Sequence, residues 1–140
     1  MDHQVEYHRA GKYFDEQVCN LKSTDGHTIY VKHMIPTAGL SKVKYHIFFV
    51  HGAIEHLGRH DAIFDYLKNH FRSEIVISTY DHVGHGKSTG PRASIDNFKI
   101  YSDDFLNFIN KSDFLENKKD LKRILITHSM GGLVVLNSIF

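Results

Sequence analysis

The sequence has few of the residues that stabilise small secreted proteins. It contains one cysteine, two prolines and no tryptophan. Because Cys19 has no partner within the chain, an internal disulfide is excluded and a reducing compartment is the simpler interpretation. The N-terminal residues also lack the apolar segment of a secretory signal peptide. These features predict a cytoplasmic protein.

Long hydrophobic runs and a charge excess are missing as well. The longest fully apolar runs, such as 47–50, have about four residues, whereas a bilayer-spanning helix needs about 20. Seventeen Lys and Arg against sixteen Asp and Glu give a formal charge of +1. Nucleic-acid-binding proteins usually carry a marked basic excess. We therefore expect a soluble chain that binds no nucleic acid, with peripheral membrane contact as an option for a longer product.

What is present is typical of a folded domain. The chain has 140 residues, of which 41% are hydrophobic and 24% charged. This size fits one domain and leaves no room for two, and the composition excludes disorder. The sequence shows no internal repeat and no linker-like stretch. We expect a single domain over residues 1–140.

Hydrophobic periodicity predicts an α/β fold. Val18–Lys22 and Thr28–Ile35 flank an Asp-Gly turn, which is typical of a β-hairpin, and Ile29, Val31, His33 and Ile35 alternate with more polar neighbours. Short apolar runs then alternate with segments of three- and four-residue spacing. We predict strands at Tyr45–Val50, Glu74–Tyr80 and Arg123–Thr127, and helices through 63–71, 95–109 (with Ser94 as N-cap) and 130–140. Because strand–helix–strand units cross over right-handed, the sheet after the hairpin should be largely parallel.

The segment Thr127–Gly132 indicates a nucleophilic serine. It lies at a predicted strand-to-helix junction, where a tight turn would project the Ser129 hydroxyl from the carboxyl edge of the sheet. The helix start supplies free backbone N–H groups for a developing oxyanion. Small residues two places away on either side would let the turn close; Gly131 fills one place and Thr127 the other. The alternative is that Ser129 is only a helix N-cap.

Two further loops follow predicted strands. His51–His56 comes after the strand ending at Val50, where a second oxyanion donor is expected, although a flexible loop with incidental histidines is an alternative. Asp81–Ser88 ends in Gly-Lys-Ser but lacks the first glycine of a phosphate-binding loop, which argues against nucleotide binding. Asp81, His82 and His85 match no recognised zinc-ligand spacing. We interpret this loop as a structural turn.

Taken together and in this order, the motifs 51–59, 80–90 and 128–132 resemble the monoacylglycerol lipase and lysophospholipase branch of the α/β-hydrolase superfamily, which is also described as serine-aminopeptidase-like. The similarity runs from about residue 25 to residue 140. It implies Ser129 as nucleophile, and the backbone N–H groups of Ala53 and Met130 as the oxyanion hole. It also implies acyl-ester substrates on glycerol or a related head group, and no cofactor. We expect no metal, since the ligand spacing matches no known set, and metal binding is the weakest alternative. Thr127 and Ile54 stand where the family commonly has glycine.

The resemblance also implies that the triad is incomplete in this chain. In this superfamily the acid and then the histidine base follow the serine. The eleven residues after Ser129 contain no Asp, Glu or His. We therefore expect an N-terminal portion of a hydrolase domain that ends after the nucleophile turn. An upstream histidine acting as base, and a non-catalytic domain acting through protein–protein interaction, remain as alternatives.

Overall fold

A computed structural model describes residues 13–140. It contains one five-stranded mixed sheet in the order β1-β2-β4-β3-β5. The strands are β1 (Phe14–Lys22), β2 (Thr28–Pro36), β3 (Tyr45–Val50), β4 (Ile75–Tyr80) and β5 (Lys122–Thr127). The helices are α1 (Asp61–Phe71), α2 (Lys99–Ser112) and α3 (Met130–Ile139), and two short 3-10 turns cover Leu57–His60 and Arg72–Glu74. The predicted α/β class is confirmed.

The hairpin strand β2 joins the sheet antiparallel to β4, whereas β3, β4 and β5 are parallel to one another. β1 pairs with β2 and β2 with β4 in antiparallel fashion, whereas β3 pairs in parallel with both β4 and β5. The predicted hairpin turn is present, since the Gly26 N–H donates to the Ser23 carbonyl at 3.0 Å. Gly26 has a φ of +89°, a left-handed conformation that glycine adopts without steric cost.

Two hydrophobic layers cover the two faces of the sheet. Phe48 and Val50 point into one core, which α2 and α3 close, whereas Ile47 and Phe49 point into the other, which α1 closes through Phe64. This alternation explains why β3 is buried almost throughout and reads as a continuous apolar run. The result is a three-layer α/β/α arrangement over residues 13–140.

The structure corrects several predicted boundaries. β1 begins at Phe14, earlier than the predicted Val18, and β4 begins at Ile75 because Glu74 lies in a 3-10 turn. Ser94 is not a helix N-cap: α2 begins at Lys99, and the backbone N–H of Lys99 is bonded at 2.9 Å by the side chain of Asn97. The predicted helix start was too early because Ile95 and Phe98 continue the three- and four-residue spacing of the helix. In the structure both side chains pack against the core, but they lie before the first residue of α2.

The alternation predicted for β2 holds for only part of the strand. Ile29, Val31 and His33 are buried, but Ile35 is half-buried while Met34 is buried. Met34 belongs to the core on the opposite face, where it lies beside Ile77 of β4. The end of β2 is therefore packed on both faces, which periodicity alone could not indicate.

Candidate active site

The three motif-bearing loops meet at one edge of the sheet. Val50 pairs with Tyr80 on one side and with Thr127 on the other, so β3, β4 and β5 end at the same level. The loops that begin at His51, Asp81 and His128 therefore leave the sheet side by side. In open parallel sheets the carboxyl edge is where ligands bind.

Ser129 occupies a strained bend between β5 and α3. Its backbone has φ +51° and ψ −119°, and φ values in this range are uncommon for residues other than glycine. Its side chain is exposed and makes no capping hydrogen bond to α3. The N-cap alternative therefore does not explain Ser129.

Two glycines allow the bend to approach the end of β3. A Cβ built on Gly131 would lie 2.4 Å from the Val50 carbonyl oxygen, a distance that no side chain tolerates. A Cβ built on Gly52 would lie 3.1 Å from the Ser129 Cβ and 3.0 Å from the carbonyl oxygen of His128. The loop after β3 and the serine bend are thus in direct contact.

A pocket opens beside the two residues that were predicted to form the oxyanion hole. Ala53 and Met130 both line it, and Met130 is the first residue of α3, where backbone N–H groups are unpaired within the helix. The pocket has a volume of about 380 Å³. Its remaining walls come from the loop after β3, the loop after β4 and α2: Ile54, His85, Ala93, Ser94, Ile95 and Tyr101. The walls are mainly apolar, as an acyl chain would require.

Glu55 connects the loop after β3 to the serine bend, a role that the sequence motif did not reveal. Its Oε1 accepts the N–H of Gly52 and lies 3.0 Å from His60 Nε2 and 2.8 Å from His128 Nδ1. Burial raises the pKa of this carboxyl, but the hydrogen bonds from Gly52, His128 and His60 outweigh burial and hold the pKa at about 2. Glu55 is therefore an anion that fixes two loops, rather than a proton donor.

The loop after β4 is built as a scaffold, in agreement with its structural interpretation. Asp81 accepts backbone N–H bonds from Leu57 at 2.8 Å and from Lys87 at 2.9 Å. The N–H of His82 donates to Nε2 of His51 at 3.0 Å, and both rings are fully buried. A Cβ on Gly86 would lie 2.2 Å from the Asp81 carboxylate, so the loop requires glycine there. These contacts make Asp81 an anchor of the loop.

Upstream histidines are poorly placed to act as the base. Burial lowers the pKa of His51 to about 4 and holds the pKa of His82 well below its ordinary value, and their ring contacts hold the backbone. His128 is exposed but its Nδ1 is engaged by Glu55. His85 is buried, donates from Nδ1 to the Val83 carbonyl oxygen at 3.0 Å, and lines the pocket. Of these four rings, only His85 lines the pocket, and its buried Nε2 has no hydrogen-bond partner within residues 13–140.

Within residues 13–140, no helix is long and apolar enough to cross a membrane.

Solved structures show which fold this architecture shares. A thermostable carboxyl esterase from Bacillus coagulans, in complex with glycerol, superposes with a TM-score of 0.70 at 22% identity, covering 88% of this chain and 39% of that chain. A soluble variant of monoglyceride lipase from Saccharomyces cerevisiae, in complex with a substrate analogue, gives a TM-score of 0.68 at 22% identity over 86% of this chain and 38% of that chain. These structural superpositions establish that the described residues have an α/β-hydrolase fold.

Sequence relatives identify the family. Monoglyceride lipase of Rattus norvegicus is 33% identical over 115 residues, which are 82% of this chain and 35% of the relative. A monoglyceride lipase homolog of Monkeypox virus is 31% identical over 112 residues, 79% of this chain and 37% of the relative. The chain thus spans about a third of the length of these relatives. The profile of the family described as serine aminopeptidase, S33, matches residues 41–139. The chain therefore belongs to this family of α/β-hydrolases, in its monoglyceride-lipase-like branch.

Proposed function

We propose that residues 1–140 form the N-terminal portion of a serine hydrolase domain that cleaves carboxylic esters, with monoacylglycerols or lysophospholipids as substrates. The observation that carries this proposal is the strained, exposed Ser129 at the carboxyl edge of the sheet. The monoglyceride lipases among the relatives support the choice of substrate class. An apolar-walled pocket beside the serine bend agrees with an acyl-chain substrate.

The proposed reaction proceeds through an acyl-enzyme. A base removes the Ser129 proton as its oxygen attacks the ester carbonyl carbon, and the N–H groups of Ala53 and Met130 stabilise the oxyanion. Collapse of the tetrahedral intermediate expels the alcohol, which takes up the proton from the base. Water then hydrolyses the acyl-enzyme by the same two steps. No cofactor takes part.

We propose that the acid and the base come from a further part of the hydrolase domain, covering the free side of β5. Within residues 13–140, β5 is an edge strand of the sheet, and all of its residues except Ile126 are exposed. The neighbouring α3 exposes Leu133, Leu136 and Ile139. An unpaired strand edge beside apolar side chains is a template for additional strands. Since the chain spans about a third of its relatives, the covering segment is the remaining portion of such a domain, in the same chain or in a second one.

A chimera tests the proposed function. Residues 13–140 would replace the matching stretch of the rat monoglyceride lipase, and hydrolysis of a long-chain monoacylglycerol would be followed by fatty acid release. We expect turnover that Ser129→Ala abolishes and that Ser138→Ala, on the same helix, leaves intact. The parent lipase serves as the positive control.

Two results separate failure of the proposal from failure of the chimera. Circular dichroism and a sharp thermal transition would show that the chimera is folded. A folded chimera without Ser129-dependent hydrolysis would contradict the proposed function.

A further inference from the structure

Three side chains with metal-binding atoms converge beside the serine bend. Glu55 Oε1, His60 Nε2 and His128 Nδ1 all lie within 4.8 Å of one another. Imidazole nitrogens and carboxylate oxygens are the protein ligands that Zn²⁺ prefers together with thiolates, and two histidines with one carboxylate form a known catalytic-type set. We propose that this histidine–glutamate cluster (Glu55, His60, His128) binds a divalent transition-metal ion of the zinc type.

The distances within the cluster are close to those of a metal site. Zinc ligands at 2.0–2.2 Å in tetrahedral geometry place donor atoms about 3.4 Å apart. Glu55 Oε1 lies 3.0 Å from the His60 nitrogen and 2.8 Å from the His128 nitrogen. Only the two ring nitrogens are further apart, at up to 4.8 Å. A small rotation of the exposed His128 ring closes this gap.

The inner ligands are held in place before any ion binds. The His60 ring is buried and packs on Phe49, with ring centroids 4.6 Å apart. The Gly52 N–H donates to Glu55 Oε1, so the carboxylate orientation is fixed from the protein side. Such supporting contacts orient metal ligands and raise metal affinity.

The outer ligand provides access from solvent. The His128 side chain is 56% exposed, compared with 10% for His60 and 7% for Glu55. An ion can therefore enter past His128, and water can take the fourth position of a site with three protein ligands. Without an ion, the Glu55 carboxylate accepts hydrogen bonds from a ring nitrogen of His60 and one of His128.

A bound ion would join two segments that are distant in the sequence. Glu55 and His60 lie between β3 and α1, whereas His128 directly precedes Ser129. The ion would therefore hold the Ala53 loop against the serine bend and stabilise the folded state, because it binds this arrangement and not the unfolded chain. The binding does not depend on ester hydrolysis, so it is tested separately from the proposed function.

Zinc titration of the full 140-residue chain tests the proposal. We expect calorimetry with ZnCl₂ to show one tight site, and the thermal midpoint to rise by several degrees at saturating zinc. His128→Asn and His60→Asn should each weaken this site by at least about tenfold, the minimum expected from loss of a direct ligand. His56→Asn, an exposed histidine of the same loop, should leave the site unchanged.

The design distinguishes the proposed site from other histidines and from misfolding. The chain has twelve histidines, so adventitious binding would persist in both ligand variants and would overturn the proposal. Absence of tight zinc binding by the unmodified chain would also overturn it. His60 is buried and its replacement could unfold the chain, but His128 is exposed, so unchanged zinc affinity in folded His128→Asn alone is sufficient to reject the site.

Discussion

At the scale of single residues, two residues of the site that are not glycine have a φ in the left-handed range, Ser129 and Ile54. Ile54 has a φ of +56° and is 81% exposed. For a β-branched residue such a φ is a genuine outlier, with a cost of about 1–2 kcal/mol. An isoleucine at a position where the family commonly has glycine therefore strains the backbone.

Ile54→Gly should stabilise the protein. Glycine removes the clash of the Cβ in the left-handed conformation, and the exposed isoleucine side chain loses little packing. We expect a gain of about 1 kcal/mol in the free energy of unfolding, or roughly 4 °C in Tm. Ile54→Val keeps the β-branch and serves as the control. Equal Tm values for Ile54→Gly and the unmodified protein would show that the loop carries no such strain.

Gly131→Ala should be strongly destabilising. The added methyl would lie 2.4 Å from the Val50 carbonyl oxygen, so the serine bend must move away from β3. We expect a loss of about 2–3 kcal/mol, typical of overpacking. Gly132→Ala is the matched control, because its methyl meets only Thr127 Oγ1 at 3.2 Å and gains helix propensity. Urea unfolding of both variants measures the difference, and similar losses would contradict the close approach.

At the scale of elements, three adjacent strands bury a polar network against the sheet. Ser78 Oγ on β4 lies 2.8 Å from His46 Nε2 on β3 and 2.7 Å from His33 Nδ1 on β2. Burial lowers the pKa of His46 to about 4. Burial likewise lowers the pKa of His33.

Stability should therefore fall as the pH falls from about 6.5 to about 4. In this range the unfolded chain binds a proton at His46 that the folded chain does not, so protonation favours unfolding. The folded state has the full stabilisation above about pH 6.5, the pKa of His46 in the unfolded chain. Lowering this pKa to about 4 corresponds to about 3 kcal/mol of unfolding free energy.

His46→Gln should reduce this pH dependence. The glutamine amide can still bond Ser78, but it does not titrate. We expect a shallower slope of the unfolding free energy against pH between 6.5 and 4 than in the unmodified protein. Urea unfolding at several pH values provides the measurement. The slope should not vanish, because His51 and His82 are also buried with lowered pKa values. If His46→Gln has the same slope as the unmodified protein, His46 does not contribute to the pH dependence of stability.

At the scale of the whole molecule, the proposed function places the acid and the base outside these 140 residues. Removal of triad members leaves only the residual acceleration of the oxyanion hole and binding, roughly 10³–10⁴-fold over water. We therefore expect negligible hydrolysis of short-chain p-nitrophenyl esters by the 140-residue chain. The measurement compares the unmodified chain with Ser129→Ala. Turnover well above that of Ser129→Ala would indicate that an upstream histidine, with His85 as the ring that faces the pocket, acts as the base.

The free edge should also govern association of the isolated chain. Leu133 and Leu136 are 57% and 54% exposed beside β5, whose outer edge is unpaired within residues 13–140. We expect concentration-dependent self-association in size-exclusion chromatography, reduced in the double variant Leu133→Lys, Leu136→Lys. Ile63→Lys on α1, where the isoleucine is 43% exposed on the opposite layer, should not reduce it. A monomer at all concentrations would count against a docking role for this face.

The sequence by itself determined the fold class, the order of elements and the serine bend, because these depend on local periodicity and on glycines at fixed offsets. β3 was predicted with its observed bounds, and the tight turn at Ser129 was predicted from the motif Thr127–Gly132. The start of α2 was wrong, because Ile95 and Phe98 follow helical spacing while they pack from a turn.

Only the tertiary structure decided which residues of the three loops act together. Glu55 and His128 are 73 positions apart in the chain, and nothing in their spacing indicates that they are bonded. Their contact exists because parallel pairing of β3 with β5 ends both strands at one level. Parallel pairing of β3 with β4 likewise brings His51 and His82 together, and both rings are buried there, which argues against either one as the base. Register between strands is a long-range property, and it is what converts separate motifs into a site.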